Sequence, residues 1–561
     1  MSSPRKPPGP AMKTPSVAAP VPDGGLSGRE LCKWSVGFGL IYVLLHIPFL
    51  SRYDLFLSSG NAQCYLMMKR ILSGELYIYQ WAGDYTGMGP VDFVTALLFA
   101  IFKPSLALCT FVNLLFWGLG ISLLVASVGL CLGKRAAIGS GCALAIGMPY
   151  FLKFTIVPYG SGYNLTAAYV GLFVWLTILL LRRGPQSWLC VLTALIMGWY
   201  WYALKNVLVV WLAIGAAMMA LTQGRDFLKR FVRSKMLVFS AVAFLIGYSP
   251  EIIYKIGFIA SAAERTKDST TFLGIASPDL MVRNWYMTLR CIPAYFDADP
   301  WARSPEGVHY LNHMENWESF PLNPVDMIGI LAAFVVISFC LRMAIRNYHE
   351  KNIEVFILAI CPFVTFFTVL IAARSGGGYY GIRRYIMPAG VVLLAWLGVY
   401  LAQAMKAWNW GVSVLLAATL VASAFHQVGM HGLPDELVDY RTTLEDIEAN
   451  GYKYGMSWYS FSHLLTTLSD EKVMFGIIDR TFQSPYQKPA TEAETVAIVW
   501  PAVNPPPYEF AQHLFFGGVK FKDDAVRNLP ETISILGHEY RRIGEPKIHG
   551  ELGWAPYRKV I

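Results

Sequence analysis

Charge is scarce in this 561-residue chain: Asp, Glu, Lys and Arg together make up 15%. A set of water-soluble domains of this length would need a more polar surface, so that class is excluded. Ionisable residues are almost missing from the long apolar runs, with His46 and Lys205 the main exceptions. A transporter that moves ions or protons needs such groups near the middle of the bilayer, so this scarcity argues against one. Both exceptions lie near the expected ends of spans, where a long or amphipathic side chain reaches back to the interface. None of the nine cysteines stands in a C-x-x-C pair, so neither a zinc site nor a disulfide framework is signalled. Cys64 and Cys291 alone are expected to share a compartment in which a bond could form. What is abundant is apolar: 55% of the residues are hydrophobic and the mean hydropathy is +0.43. That is the composition of a polytopic membrane protein.

Residues 1–30 hold Pro, Ser, Gly and a few basic residues and cannot bury enough surface to fold. The run Leu31–Leu50 is long enough to cross a hydrocarbon core of about 30 Å and has no small-residue cleavage site. It is expected to be a retained anchor. Further apolar segments follow at about 105–132, 136–152, 164–181, 187–203, 206–222, 236–254, 325–341, 353–373, 385–403 and 410–428, eleven in all. Alternate short connections carry the Lys and Arg: Lys134 and Arg135; Arg182 and Arg183; Arg225, Lys229, Arg230, Arg233 and Lys235; Arg342, Arg346 and Lys351; Lys406. Basic residues are retained on the cytoplasmic side, so these turns and the N-terminal tail are expected there. The same loops account for most of the formal charge of +9, and a nucleic-acid partner is not expected.

With eleven crossings, residues 31–429 form the membrane domain and residues 430–561 an extracytoplasmic one. The outer loops are 51–104 and 255–324. In the first, Gln63–Leu72 and Val91–Phe102 read as helices too short to span, lying along the interface. Beyond Met430 the pattern is that of a small α/β domain: a helix over Leu437–Asn450 stopped by Gly451, then strands over Lys472–Ile478 and Thr495–Trp500. Tyr454, Trp458, Tyr459, Tyr486 and Trp500 in it either stack on sugar rings or, more commonly in a small domain, fill its core.

Polar chemistry is therefore expected on the outer surface. Asp54, Glu75, Asp84 and Asp92 supply the first loop with carboxylates, any of which could take a proton from an acceptor hydroxyl or simply be solvated. Arg374, Arg383, Arg384 and Tyr385 flank the run Ser375–Gly381, where guanidinium groups and glycine backbone could hold a phosphate. Asp297, Asp299, His309, His313 and Glu315 share the second loop, but two histidines four apart lack a convincing third ligand, and no metal site is assigned. Asn164-Leu-Thr166 fits a glycosylation acceptor pattern that is frequent by chance.

Gly60-Asn61-Ala62, Leu66–Leu72, Gly74-Glu75, Tyr85-Thr86-Gly87 and Ala96–Phe99 together resemble the first outer loop of bacterial GT-C membrane glycosyltransferases. That class includes the lipid A aminoarabinose transferase and the protein mannosyltransferases. Arg383–Pro388, Tyr454-Gly455, Trp458-Tyr459, Leu464–Leu468 and Glu471–Val473 agree with other members, so the likeness spans most of the chain. The resemblance implies a polytopic α-helical GT-C fold. It also implies a sugar donor carried on a polyprenyl phosphate, and transfer outside the cytoplasm with inversion at the anomeric carbon. Arg374, Arg383, Arg384 and Lys205, with Tyr385, would then neutralise the leaving phosphate. The family usually has an acid just before the first interfacial helix, and Asn61 stands there instead. An amide cannot act as a base, so Asp54, Asp84 or Asp92 is expected to take that role. No cofactor is required by this reading. The acceptor would be an envelope glycan, lipid or protein at the cytoplasmic membrane. Two other readings stay open: a flippase or transporter of a lipid-linked sugar, and a non-catalytic binding or assembly subunit, the latter supported by Asn61.

Overall fold

The computed structural model describes residues 27–55, 57, 59–72, 89–156, 163–203, 207–261, 277–296, 324–371, 385–403, 410–435, 437–478, 486–501, 531–550 and 552–560. Among these residues, six helices are long and apolar enough to cross a membrane. They lie in α1 (Gly28–His46), α4 (Leu106–Leu132), α7 (Thr166–Arg183), α13 (Pro324–His349), α14 (Ile353–Ile371) and α16 (Trp410–Met430). They fall on six of the eleven expected segments. The other five segments fall on helices that are shorter, broken or bent. The segment 136–152 divides into α5 (Lys134–Ile146) and α6 (Pro149–Thr155). Gly147 separates them with φ +68°, a left-handed conformation that glycine adopts without cost. α9 (Val207–Ala220) turns by 104° into α10 (Thr222–Val232). α8 (Leu189–Ala203), α11 (Met236–Ser261) and α15 (Met387–Gln403) carry shorter apolar stretches.

These helices approach one another closely where side chains are absent. A Cβ on Gly398 of α15 would collide with the Gly139 carbonyl of α5, and one on Gly120 of α4 with the backbone at Ala167 of α7. Small residues at such crossings let backbones meet, which is how spans associate where lipid gives no hydrophobic drive. α15 is buried almost throughout, from Met387 to Val399.

The expected interfacial helices are α2 (Ser59–Leu72) and α3 (Pro90–Phe99). A further helix, α12 (Pro278–Cys291), lies between α11 and α13 and leaves Val282, Trp285 and Leu289 exposed. Its Asn284 donates to the carbonyls of Val369 and Leu370 at the end of α14.

From Val438 onward the described residues form three helices and a seven-stranded sheet. The helices are α17 (Val438–Ala449), α18 (Tyr459–Leu468) and α19 (Gln487–Glu492). The strands are β1 (Tyr454–Ser457), β2 (Met474–Ile477), β3 (Thr495–Pro501), β4 (Thr532–Ile535), β5 (His538–Arg542), β6 (Lys547–His549) and β7 (Leu552–Lys559). They are ordered β2-β1-β3-β7-β5-β4, with β6 on β7. The β1 pairings with β2 and β3 are parallel, as helical crossovers require, while β3, β5 and β6 meet β7 antiparallel. Met456, Phe475, Ile498 and Trp554 lie in its core, and Trp500 and Tyr486 are buried as well, so those two aromatics pack rather than offer a sugar platform.

Several expectations change here. His46 does not reach back to the interface: it is 1% exposed, with Nδ1 against the Tyr42 carbonyl at 2.7 Å and Nε2 against Gln427 Oε1 at 3.0 Å. A polar ring inside an apolar core is tolerated where its N–H finds an acceptor, and both neighbouring oxygens can accept it. Asn164 is 1% exposed and donates to Asn113 Oδ1 at 3.0 Å, so it cannot serve as a glycan acceptor in the folded chain. Cys64 and Cys291 are not bonded to each other and lie in different apolar clusters.

Candidate active site

The segment after α1 is organised by Arg52, to which no motif or spacing in the sequence pointed. A short 3-10 turn, Ile47–Ser51, follows α1, and a second, Tyr53–Leu55, comes after Arg52 and carries Asp54. The Arg52 guanidinium donates to Asp54 Oδ1 at 3.1 Å and Oδ2 at 3.0 Å. It also donates to the carbonyls of Met430, the last residue of α16, and of His431 and Leu433 just after it. The paired fork ties the segment after α1 to the start of the C-terminal region. Asp54 is 6% exposed and both of its oxygens face the guanidinium, so accepting a proton would mean giving up part of that fork.

Asp92 sits differently. It lies in the first turn of α3, and its Oδ2 accepts the Gly89 N–H at 2.7 Å, satisfying a helix-end donor. The carboxyl is 7% exposed. Burial pushes it up to about 7, against the single N–H that favours its charged form. A carboxyl near 7 is poised between its two protonation states at neutral pH, which is the condition general acid–base work needs. Asn61 lies on the neighbouring α2 and is 2% exposed.

α2 is not laid open on the interface. From Asn61 to Met68 every residue is buried. Its covering comes from α18 of the C-terminal region, where Thr467 Oγ1 donates to the Ala62 carbonyl at 3.4 Å. Phe49, Leu55, Leu66, Met67, Phe99, Leu106, Leu464 and Tyr486 form one apolar cluster that joins the segment between α1 and α4 to the C-terminal helices. At its edge Lys69 Nζ meets Glu471 Oε2 at 2.5 Å and Asp470 Oδ1 at 3.1 Å. Tyr486 donates to Glu471 Oε1 at 2.6 Å, and the Arg70 guanidinium lies 4.7 Å from the centre of the Tyr486 ring. Burial alone would raise the Glu471 carboxyl, but Lys69 and Tyr486 outweigh it and hold it low. Asp470 and Glu471 have φ of +50° and +63°, a left-handed pair of non-glycine residues that surrounding bonds must hold in place.

Of the phosphate-binding candidates only Tyr385 is described, half-buried just before α15 with its ring 6.5 Å from that of Tyr163. Asp84, Lys205, Arg374, Arg383 and Arg384 lie outside the described residues, as do Glu75, Asp297, Asp299, His309, His313 and Glu315. The structure therefore brings together Asn61, Asp92 and the Lys69–Glu471–Tyr486 contact around one short helix. Lys69 and Glu471 stand in the sequence without any periodic or spacing signal that would pair them, being 402 positions apart by subtraction. Among the described residues no group of three or more His, Cys, Asp or Glu is placed to hold a metal ion.

No family model matches the sequence, and no curated protein does. Solved structures do. ArnT from Cupriavidus metallidurans, bound to undecaprenyl phosphate, superimposes over 93% of this chain and 98% of its own, with a TM-score of 0.52 at 12% identity. Its apo state gives 0.51 at 11% identity over the same shares. The apo oligosaccharyltransferase of Archaeoglobus fulgidus covers 84% of this chain and 70% of its own, with a TM-score of 0.50 at 12% identity. At such identities the likeness is one of fold, and it runs through the whole length of ArnT. The chain thus has the fold of the GT-C membrane glycosyltransferases.

Proposed function

We propose that the protein is an inverting glycosyltransferase of the cytoplasmic membrane that moves a sugar from a polyprenyl phosphate to an envelope glycan, lipid or protein on the outer face. In this reading the N-terminus is cytoplasmic, residues 31–429 make up a membrane domain of about eleven crossings, and residues 430–561 form the extracytoplasmic domain. The observation that carries the reading is a buried carboxyl, Asp92, poised at about 7 in the first outer segment of a GT-C fold. Asp92 takes the proton of the acceptor hydroxyl as its oxygen bonds to the anomeric carbon. The bond from that carbon to the lipid phosphate breaks, and the phosphate leaves with the electron pair. Asp84 is the other candidate base. Asp54 is assigned to positioning because its oxygens are held by Arg52. Arg374, Arg383, Arg384 and Lys205, with Tyr385, are assigned to the leaving phosphate, where positive charge acts most strongly in a partly dry site. Asn61 cannot accept a proton and is assigned to hydrogen bonding.

The test is release of polyprenyl phosphate by the purified protein in nanodiscs, supplied with a panel of polyprenyl phosphate sugars and envelope extract. Asp92→Asn is expected to lower turnover by at least about 100-fold, the scale of a lost general base. Asp54→Asn and Asp84→Asn are run beside it. Turnover that survives both Asp92→Asn and Asp84→Asn would overturn the base assignment. Donor binding without release under any condition would establish the non-catalytic reading instead.

A further inference from the structure

The basic cluster Arg225, Lys229, Arg230, Arg233 and Lys235 plays no part in the proposed reaction, and the fold gives it a definite setting. After α9 the chain turns by 104° and runs as α10, so the helix does not continue the direction of the span before it. Gly224 fixes that turn: a Cβ there would strike the Met218 backbone and the Ile353 side chain. α10 has two distinct faces. Gly224 is buried and Phe227, Leu228 and Phe231 are half-buried toward the body. At 100° per residue, Arg225, Lys229, Arg230 and Arg233 fall on the opposite arc, and all are exposed together with Lys235. Asp226 is the one acid in this stretch, so five cations against one acid give a local charge of +4. Three other basic residues near helix ends are paired, Lys134 with Glu30, Arg182 with Glu354 and Arg346 with Glu350. None of these five forms an ion pair with the described residues.

The location of α10 follows from contacts. Gly224 packs on Ile353, whose neighbour Glu354 binds Arg182; Arg182 also donates to the Leu130 carbonyl near the end of α4. The turn after α4 brings Lys134 to Glu30 at the start of α1. The other end of α1 leads to Arg52 and the C-terminal region. α10 therefore lies at the end of the helical bundle away from α2 and the sheet. Beside it the surface is apolar and exposed, with Met219 on α9, Val232 on α10 itself, and Val238 and Phe239 on α11. A basic amphipathic helix bordered by lipid-facing surface has the form of an in-plane membrane helix.

We infer that α10 and the turn after it form a binding site for anionic phospholipid headgroups in the leaflet opposite the proposed active site. The occupant is the bilayer itself: the exposed apolar residues continue the surface that lipid tails cover, and the unpaired cations meet headgroup phosphates. Headgroup binding would hold the bend between α9 and α10 in the plane of the membrane. Each basic residue near an anionic surface contributes roughly a fivefold preference.

Native mass spectrometry of the full chain in detergent, with equal phosphatidylglycerol and phosphatidylcholine added, reads this directly. The protein is expected to retain phosphatidylglycerol at least about fivefold over phosphatidylcholine, less so at high ionic strength. The variant R225Q/K229Q/R230Q/R233Q/K235Q should lose that preference. The milder K229Q/R230Q, which keeps the fold if the larger set does not, should lose part of it. A control neutralising Lys453, Lys488 and Arg541, at the far end of the molecule, should keep it. Equal retention of the two lipids by the native chain would overturn the proposal, as would an unchanged preference in the α10 variants or its loss in the control. Displacement of the lipid by millimolar inorganic phosphate would show a free-phosphate site and overturn it too.

Discussion

Glu471 is the residue through which the C-terminal region grips α2, and neutralising it gives a prediction with a worked magnitude. Its carboxylate meets Lys69 at 2.5 Å and receives the Tyr486 hydroxyl at 2.6 Å, with side-chain exposures of 27% for Glu471 and 19% for Lys69. Hydrogen bonds to charged groups contribute about 1.5–3 kcal/mol, and partial exposure discounts the ion pair toward the lower part of that range. Glu471→Gln keeps an acceptor for Tyr486 but removes the charge, so about 1–2 kcal/mol of local stability should be lost. That is about a 5- to 30-fold change in the local opening equilibrium. Hydrogen exchange of α2 amides in the purified protein at pH 7, read by mass spectrometry, should speed up by that factor. The Glu471 carboxyl is held below its ordinary value of 4.5 in the fold. Its contribution is therefore present above that value and disappears as pH falls through the folded one, so native and Glu471→Gln exchange should converge in acid. Lys69→Met should act in the same direction, and the double variant should cost clearly less than the sum of the singles. Unchanged α2 exchange in both single variants, or strict additivity, would refute the clamp.

Three further outcomes are expected. If Asp92 is the base it must be ionised, so turnover should rise with pH through about 7, and Asp92→Asn should abolish that limb along with the rate; a limb that persists in residual activity belongs to another group. Gly398→Val should force α15 away from the Gly139 carbonyl at a cost of about 2 kcal/mol or more, seen as a lower melting temperature or loss of folded yield in detergent. Asp446 accepts from Lys547 at 2.7 Å, His549 at 3.0 Å and Trp554 at 2.9 Å; burial opposes its charge, but these three bonds prevail and hold it at about 2. Asp446→Asn should therefore lower the melting temperature at pH 7, with the difference shrinking as pH falls from about 4 toward 2.

The amino-acid sequence by itself carried the elements whose signal is local. The apolar runs at α1, α4, α7, α13, α14 and α16 are long enough to show without context. The continuous apolar run of β3 and the stop at Gly451 after α17 are equally short-range, as is the pattern of α2, although that helix begins at Ser59, four residues before the expected start at Gln63. Of the site, the sequence offered the acids of the first loop but gave no means of ranking them. Asp54 and Asp92 are the same residue type in the same loop. Only the fold sets the Arg52 guanidinium against one and leaves the other buried beside a single backbone N–H. The same holds for His46 and Asn164, whose partners Gln427 and Asn113 are 381 and 51 positions away. It holds too for α2, which has the composition of an interfacial helix and becomes buried because α18, some 400 residues on, packs over it. Periodicity reports which face of an element wants to leave water. What covers that face, and which charge a carboxylate meets there, is decided by contacts between distant parts of the chain, where desolvation and pairing act over a few ångströms of space rather than of sequence.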